Sequence, residues 1–262
     1  LTAAGGVLCW GSNGFGQLGD GTWTDRATPA GVDGLGEGVL SLGANGYHTC
    51  AVTDSGAVKC WGLNEHGQLG DGSTTGSLVP VDVVGLGAGI RSVAAGYEHT
   101  CAVTTAGAVK CWGANESGEL GDGSTTDRLA PVDVQGLAAD VVSVTAGGDY
   151  SGGQTCALMA TGSIVCWGNN GSGQLGDGTT TNRSTPTTVT ARGPGYQAVS
   201  AGDEHVCALT SEGEVQCWGE NLYGQLGNGS TDDQAIPSPV PGLGSGVRAL
   251  SAGGLHSCVV TG

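Results

Sequence analysis

Cys-Trp-Gly occurs five times in this chain, at Cys9-Trp10, Cys60-Trp61, Cys111-Trp112, Cys166-Trp167 and Cys217-Trp218, with steps of 51, 51, 55 and 51 residues. A second cysteine series, Cys50, Cys101, Cys156, Cys207 and Cys258, keeps the same rhythm. Self-similarity at a period near 50 residues, rich in glycine and β-formers, predicts a propeller or another repeat array. No Pro/Ser-rich linker or charge block divides the chain, so residues 1–262 read as a single domain of five repeats. The 53 glycines, against one Phe and one Met, suit thin strands and many turns rather than helix-packed layers.

Each repeat contains a hairpin. In Thr100–Gly113 two β-rich runs flank a turn at Gly107. If Cys101 lies opposite Cys111, Val103 must lie opposite Val109, and all four side chains share one face. The same register sets Val52 against Val58, Leu158 against Ile164 and Leu209 against Val215. Opposed β-carbons about 4.5–5.5 Å apart can be bridged, so the expected disulfides are Cys50–Cys60, Cys101–Cys111, Cys156–Cys166 and Cys207–Cys217. Zinc is the weaker alternative, because two sulfurs with nine residues between them and no C-x-x-C do not complete a tetrahedral site. Disulfides would place the chain in an oxidising compartment, secreted or on the cell surface.

With 8 Lys+Arg against 24 Asp+Glu, the net charge is −16. That balance keeps a Gly-rich surface soluble, would attract a cationic partner, and argues against nucleic acid and anionic membrane. No stretch approaches the roughly 20 apolar residues of a membrane-spanning helix. Leu1–Gly5 lacks the basic start and apolar run of a signal peptide.

After each hairpin comes a loop such as Gly62-Leu-Asn-Glu-His-Gly-Gln-Leu-Gly-Asp-Gly72, and in three copies a Gly-x-x-His follows before the next hairpin, at Gly96–His99, Gly202–His205 and Gly253–His256. This G-x-N-x-x-G-Q-L-G-D-G loop with its G-x-x-H resembles the repeat of the regulator of chromosome condensation family, five times over and across essentially the whole chain. The resemblance implies an all-β propeller with four-stranded blades. The best-known members have seven blades, whereas five repeats stand here, and the hairpin cysteines replace residues that are usually apolar or small.

The expected architecture is therefore a five-bladed propeller. Its first run, Gly6–Trp10, reads as the second strand of a hairpin, and its last, His256–Val260, as the first strand of one. Pairing them would close the ring, remove two open edges and leave Cys9–Cys258 as a fifth disulfide. The competing arrangement is a polymer in which these strands are exchanged between chains.

Candidate sites divide into repeated and unrepeated positions. Asp20, Asp71, Asp122 and Asp177, with Asn228 in the fifth copy, read as Asx turns rather than as calcium ligands. His48, His99, His205 and His256, with Gln154 in the remaining copy, suggest a repeated structural hydrogen bond. No nucleophile motif is present, so no catalytic residue, metal or cofactor is expected. The exceptions to the repeat are more informative. Phe15, His66 and Tyr223 share one loop position with two serines, and Trp23 stands where the other copies have Thr. In a closed ring Phe15, Trp23 and Tyr223 would gather on one face with His66 on the next blade, as a partner-binding patch or as loop packing. Four additional residues in 148–153 make a protruding loop around Tyr150, a further candidate contact.

The resemblance implies roles from nucleotide exchange and chromatin binding to a plant UV-B photoreceptor and a secreted β-lactamase inhibitor. Acidity and disulfides favour the last precedent: a non-enzymatic module that presents loops to a protein partner. A lectin-like module stacking sugars on its aromatics is the alternative, and a polymer subunit is a third reading.

Overall fold

The computed structural model describes residues 1–137, 139–190, 193 and 195–262. It is all-β, with no helix among the described residues, and therefore none long and apolar enough to cross a membrane. Four meandering four-stranded sheets form complete blades. The first holds β3 (Val39–Asn45), β4 (His48–Thr53), β5 (Val58–Gly62) and β6 (Ser77–Asp82). The second holds β7 (Ile90–Ala95), β8 (His99–Thr104), β9 (Val109–Gly113) and β10 (Arg128–Asp133). β11 (Val141–Asp149), β12 (Gly152–Met159), β13 (Ile164–Gly168) and β14 (Arg183–Thr188) form the third. β15 (Tyr196–Ala201), β16 (His205–Thr210), β17 (Val215–Gly219) and β18 (Gln234–Pro239) form the fourth. They are flanked by two two-stranded sheets, β1 (Leu8–Gly11) with β2 (Arg26–Gly31), and β19 (Val247–Ala252) with β20 (Ser257–Thr261). The innermost strands β3, β7, β11, β15 and β19 line one central cavity of about 380 Å³.

Hairpin registers follow the expected pairing. Cys50 opposes Cys60, Cys101 opposes Cys111, Cys156 opposes Cys166 and Cys207 opposes Cys217, each next to its apolar pair. All four pairs are disulfide-bonded, with Cα–Cα distances of 4.1 Å. The ring, by contrast, does not close as expected. β1 pairs with β2 and β20 with β19, while Cys9 and Cys258 are free thiols. Matching half-hairpins say what two strand pairs could form, but the angle between blades decides whether they meet. That angle is set at the blade junctions.

Four of the junctions use the repeated tryptophan. Trp61, Trp112, Trp167 and Trp218 are fully buried, and each indole N–H donates to a carbonyl of the preceding repeat: Gln17, Gln68, Glu119 and Gln174, at 2.8–2.9 Å. A glycine must lie beneath each ring. A β-carbon on Gly70, whose φ is +68°, would stand 2.7 Å from the Trp112 indole nitrogen. The same carbonyls bind a hydroxyl. Thr100 Oγ1 donates to Gln68 O at 2.9 Å, so its oxygen is left to accept from His48 Nε2 at 2.8 Å, which fixes that ring as the neutral Nε2–H tautomer. His99–Thr155 and His205–Ser257 repeat the relay. Val206 breaks it, having no hydroxyl, and there Gln154 replaces histidine and donates to Gly202 O instead.

Peptide mapping without reductant should recover the four hairpin disulfides. Iodoacetamide should modify Cys258 quickly and Cys9 slowly, because Cys9 is half-buried and burial raises its pKa. Protection of both thiols in the dilute protein would contradict the open arrangement. Each disulfide closes a short loop and contributes about 2–3 kcal/mol.

Candidate functional site

Up-and-down strands bring two sets of loops to one end of every blade: the turn between its first two strands and the long loop between its third and fourth. Four of the five tyrosines lie there, Tyr47, Tyr97, Tyr150 and Tyr223, whereas Tyr196 is buried in the core. Phe15 packs on Tyr47 with ring centroids 4.7 Å apart, and Tyr47 meets Tyr97 edge-on at 5.7 Å. The result is an aromatic row over three successive repeats.

Beside Tyr97 the row opens into a cavity of about 190 Å³ lined by His66, Glu98, Glu119, Asp149 and Tyr150. His66 Nδ1 lies 2.8 Å from Asp127 Oδ2, and its Nε2 lies 3.6 Å from Glu98 Oε2. Partial burial opposes its charge, but the Asp127 hydrogen bond and the pull of Glu98 prevail and raise its pKa. Glu98 itself is raised by burial, with Glu65, Asp127 and Glu116 adding to the rise and His66 opposing it. Glu119 stands where four copies have Gln, accepts from the Ser117 and Gly153 amides, and is raised by its burial. Further round, Glu204 accepts from Ser172 Oγ at 2.8 Å and also from Ser151. Asp203 and Glu220 are raised by burial and then by neighbouring carboxylates, Glu204 acting on both.

The cations near this face are already committed. Arg26, Arg128 and Arg183 form ion pairs at 2.7–2.8 Å with Asp20, Asp122 and Asp177. Lys59 and Lys110 sit at the hairpin end, paired with Asp82 and Asp133. The face therefore carries carboxylates crowded mostly against one another, several of them costly to ionise. A cation placed there would relieve both burial and repulsion.

The repeated aspartates serve the turn. Asp20 Oδ1 accepts from the Thr22 amide and hydroxyl, and the Thr22 bond, with Arg26, holds its pKa down to about 2 despite burial. The left-handed backbone of the loop falls on the flanking Gly19 and Gly21, with φ of +71° and +76°. Among the described residues no group of three His, Cys, Asp or Glu is arranged to hold a metal.

Of the unrepeated residues, Phe15, His66 and Tyr150 line this continuous region, Tyr150 being 90% exposed at the tip of the β11–β12 hairpin. Trp23 is 61% exposed, with no ring packed against it among the described residues. Tyr223 lines a separate apolar cavity beside Leu226 and Leu255. The expected cluster of Phe15, Trp23 and Tyr223 required ring closure and does not assemble. Sequence reading passed over Tyr47, Tyr97, Glu98 and Glu204. Their signal is position: Tyr47, Glu98 and Glu204 each directly precede a repeated histidine, and Tyr97 is one residue further back.

Blades of this build, clipped by tryptophan and repeated through G-x-N-x-x-G-Q-L-G-D-G loops, define a β-propeller class. The chain belongs to the RCC1-like domain family, whose sequence model matches residues 1–262. It is 38% identical to the ultraviolet-B receptor UVR8 of Arabidopsis thaliana, over 89% of this chain and 53% of that protein. It is 31% identical to the human E3 ubiquitin-protein ligase HERC2, over 98% of this chain and 5% of that one. The chain thus spans at most about half the length of these curated relatives. In fold it is similar to human WBSCR16, with a TM-score of 0.84 at 23% identity over 100% of this chain and 68% of that one. Yeast Prp20p, described with its binding to Gsp1p and histones, gives 0.81 at 23% identity, over 97% of this chain and 64% of that one.

Proposed function

We propose that this propeller is a non-enzymatic protein-interaction module, working in an oxidising compartment at or beyond the cell surface, whose tyrosine and carboxylate face binds a basic segment of a protein partner. The observation that carries this reading is the aromatic row running into the His66–Glu98–Glu119 cavity, with face carboxylates held above their ordinary range. Arginine or lysine would meet carboxylates that gain from neutralisation, and the tyrosine faces would stack on guanidinium planes. Four hairpin disulfides support the compartment. Protein binding recorded for yeast Prp20p sets a precedent on the same fold.

Anisotropy of a labelled Arg-Gly repeat peptide tests the reading. Binding should weaken as salt rises from about 0.05 to about 0.5 M, since screening lengths shrink to a few ångströms. Glu98→Gln with Glu204→Gln should weaken it about tenfold, and Tyr97→Ala by a smaller factor. It should also weaken towards mildly acidic pH, where the raised carboxyls of Glu98, Asp203 and Glu220 take up protons. Salt-independent binding, or none, would sink the proposal. Retention of a neutral glycan in place of the peptide would support the carbohydrate reading instead.

A further inference from the structure

Folding accounts for what the repeats share, and three departures from the repeat meet at one cavity, the space of about 190 Å³ beside Tyr97. His66 stands at a loop position held elsewhere by Phe15, Ser117, Ser172 and Tyr223. Glu119 stands where the other copies have Gln17, Gln68, Gln174 and Gln225, and it is only 2% exposed. The additional residues of 148–153 supply a third wall, and the Gly153 amide donates to Glu119 Oε1 at 3.3 Å. Among the described residues the lining is rich in carboxylates and holds no lysine or arginine. Two histidines belong to it. His99 gives its Nε2–H to Thr155, and burial holds its pKa at about 4, so it is neutral near pH 7. His66 is therefore the one group of the described lining that carries positive charge there.

The two nitrogens of His66 have different tasks. Asp127 accepts the Asn115 amide on Oδ1 at 2.9 Å and His66 on Oδ2 at 2.8 Å. An ionised carboxylate only accepts, so Nδ1 keeps its hydrogen whether or not the ring is charged. The nitrogen that gains and loses a proton is Nε2, which lies 3.6 Å from Glu98 Oε2. With Nε2 protonated, His66 is the counter-ion of Glu98. With Nε2 bare, its lone pair and the Glu98 carboxylate are two acceptors side by side, and the N–H groups of a guanidinium or ammonium can donate to both.

We infer that a cationic side chain of the partner and the Nε2 proton of His66 compete for this one place, so that the face holds its basic partner while His66 is neutral and releases it on acidification. The inference rests on the reading of this face as a site for a basic segment. Every charged group that faces His66 among the described residues is acidic: Glu65 on its own loop, Glu98 on the β7–β8 turn, Glu116, Glu119 and Asp127 on the β9–β10 loop, and Asp149 on the β11–β12 hairpin. Arg128, next to Asp127 in the chain, is taken by Asp122 at 2.7 Å. Burial opposes the charge of His66, but the Asp127 hydrogen bond and Glu98 outweigh it, so the proton arrives above the ordinary value of 6.5. Burial raises Glu98 and Glu119 from the lower carboxylate value of 4.5, so their own protonation follows at lower pH. Competition is reciprocal: the factor that the proton takes from peptide affinity, the peptide takes from proton affinity.

The test reads both sides of that balance with the labelled Arg-Gly peptide. The His66 ring is followed by NMR in the free and the peptide-saturated protein, with His66→Ser identifying its signals. Serine already stands at this loop position in Ser117 and Ser172, and thermal unfolding checks the fold. Saturating peptide should lower the His66 pKa by about one unit, and peptide affinity should fall about tenfold as pH drops through the free-state value. His66→Ser should lose that step and keep only the carboxylate step at lower pH, whereas His66→Lys, a fixed cation, should bind weakly across the same range. Peptide that binds the wild type without moving the His66 titration, or a His66→Ser protein that keeps the upper step, would overturn the competition and leave the binding face standing. Peptide that binds at no pH would remove the face and the competition together.

Discussion

Urea unfolding midpoints should fall steeply as pH drops below about 6.5, with the disulfides intact. Burial pushes the pKa of His48 down to about 3, and those of His99 and His205 to about 4, with a neighbouring histidine adding to the effect for His48 and His205. A pKa lowered by folding means that the unfolded chain takes the proton first. Stability is therefore complete above the unfolded value near 6.5 and is lost until pH reaches the folded values. Each histidine contributes a slope of up to about 1.4 kcal/mol per pH unit, and three together about 4. The three together remove about 9 kcal/mol by pH 4, which is most of a total of about 5–15 kcal/mol. Face carboxyls with raised pKa work in the opposite direction, lending stability as they protonate, but Asp20, Asp122 and Asp177, all held low, add to the loss below about pH 4. His99→Gln, the exchange already present at Gln154, should remove about one third of the slope between pH 6.5 and 4.5. An unchanged slope would mean that the buried rings do not govern acid stability.

Trp112→Ala should lower stability by about 3–5 kcal/mol, and Trp23→Ala by less than about 0.5. The first removes a fully buried indole from the cluster of Leu69, Val83 and Cys60 and deprives Gln68 O of one donor. The second removes a side chain that is mostly in water. Denaturant unfolding of the two variants reads the contrast directly. Equal effects would show that the tryptophan junctions do not hold the blades together.

Much of the fold could be read without coordinates because it is a local, repeated problem. Alternation of side chains along a strand determines the hairpin register, and Cys101–Cys111 with Val103–Val109 follows from it. The repeated histidine makes the expected structural hydrogen bond at His48, His99 and His205 but not at the exposed His256, and its Thr or Ser acceptor carries no signal in a single repeat; Val206, the one copy without a hydroxyl, explains why Gln154 departs from the pattern. Closure is not readable in this way. It depends on an angle accumulated over several junctions, which no single repeat encodes, and Cys9 and Cys258 stay unpaired. The candidate face was partly visible for the same reason. Phe15, His66 and Tyr150 break the repeat and so stand out in the sequence, whereas Tyr47 and Tyr97 come together only through the curvature that sets neighbouring turns side by side.

Amide hydrogen exchange with and without saturating Arg-Gly peptide tests the functional claim most directly, because it locates the contact on the fold. The account predicts slowed exchange in residues 45–49, 96–99, 148–153 and 202–205, with the hairpin turns at 54–57, 105–108 and 211–214 unchanged. Protection confined to those hairpin turns, or spread evenly over both ends of the blades, would contradict a binding face built from the tyrosine row and its carboxylates.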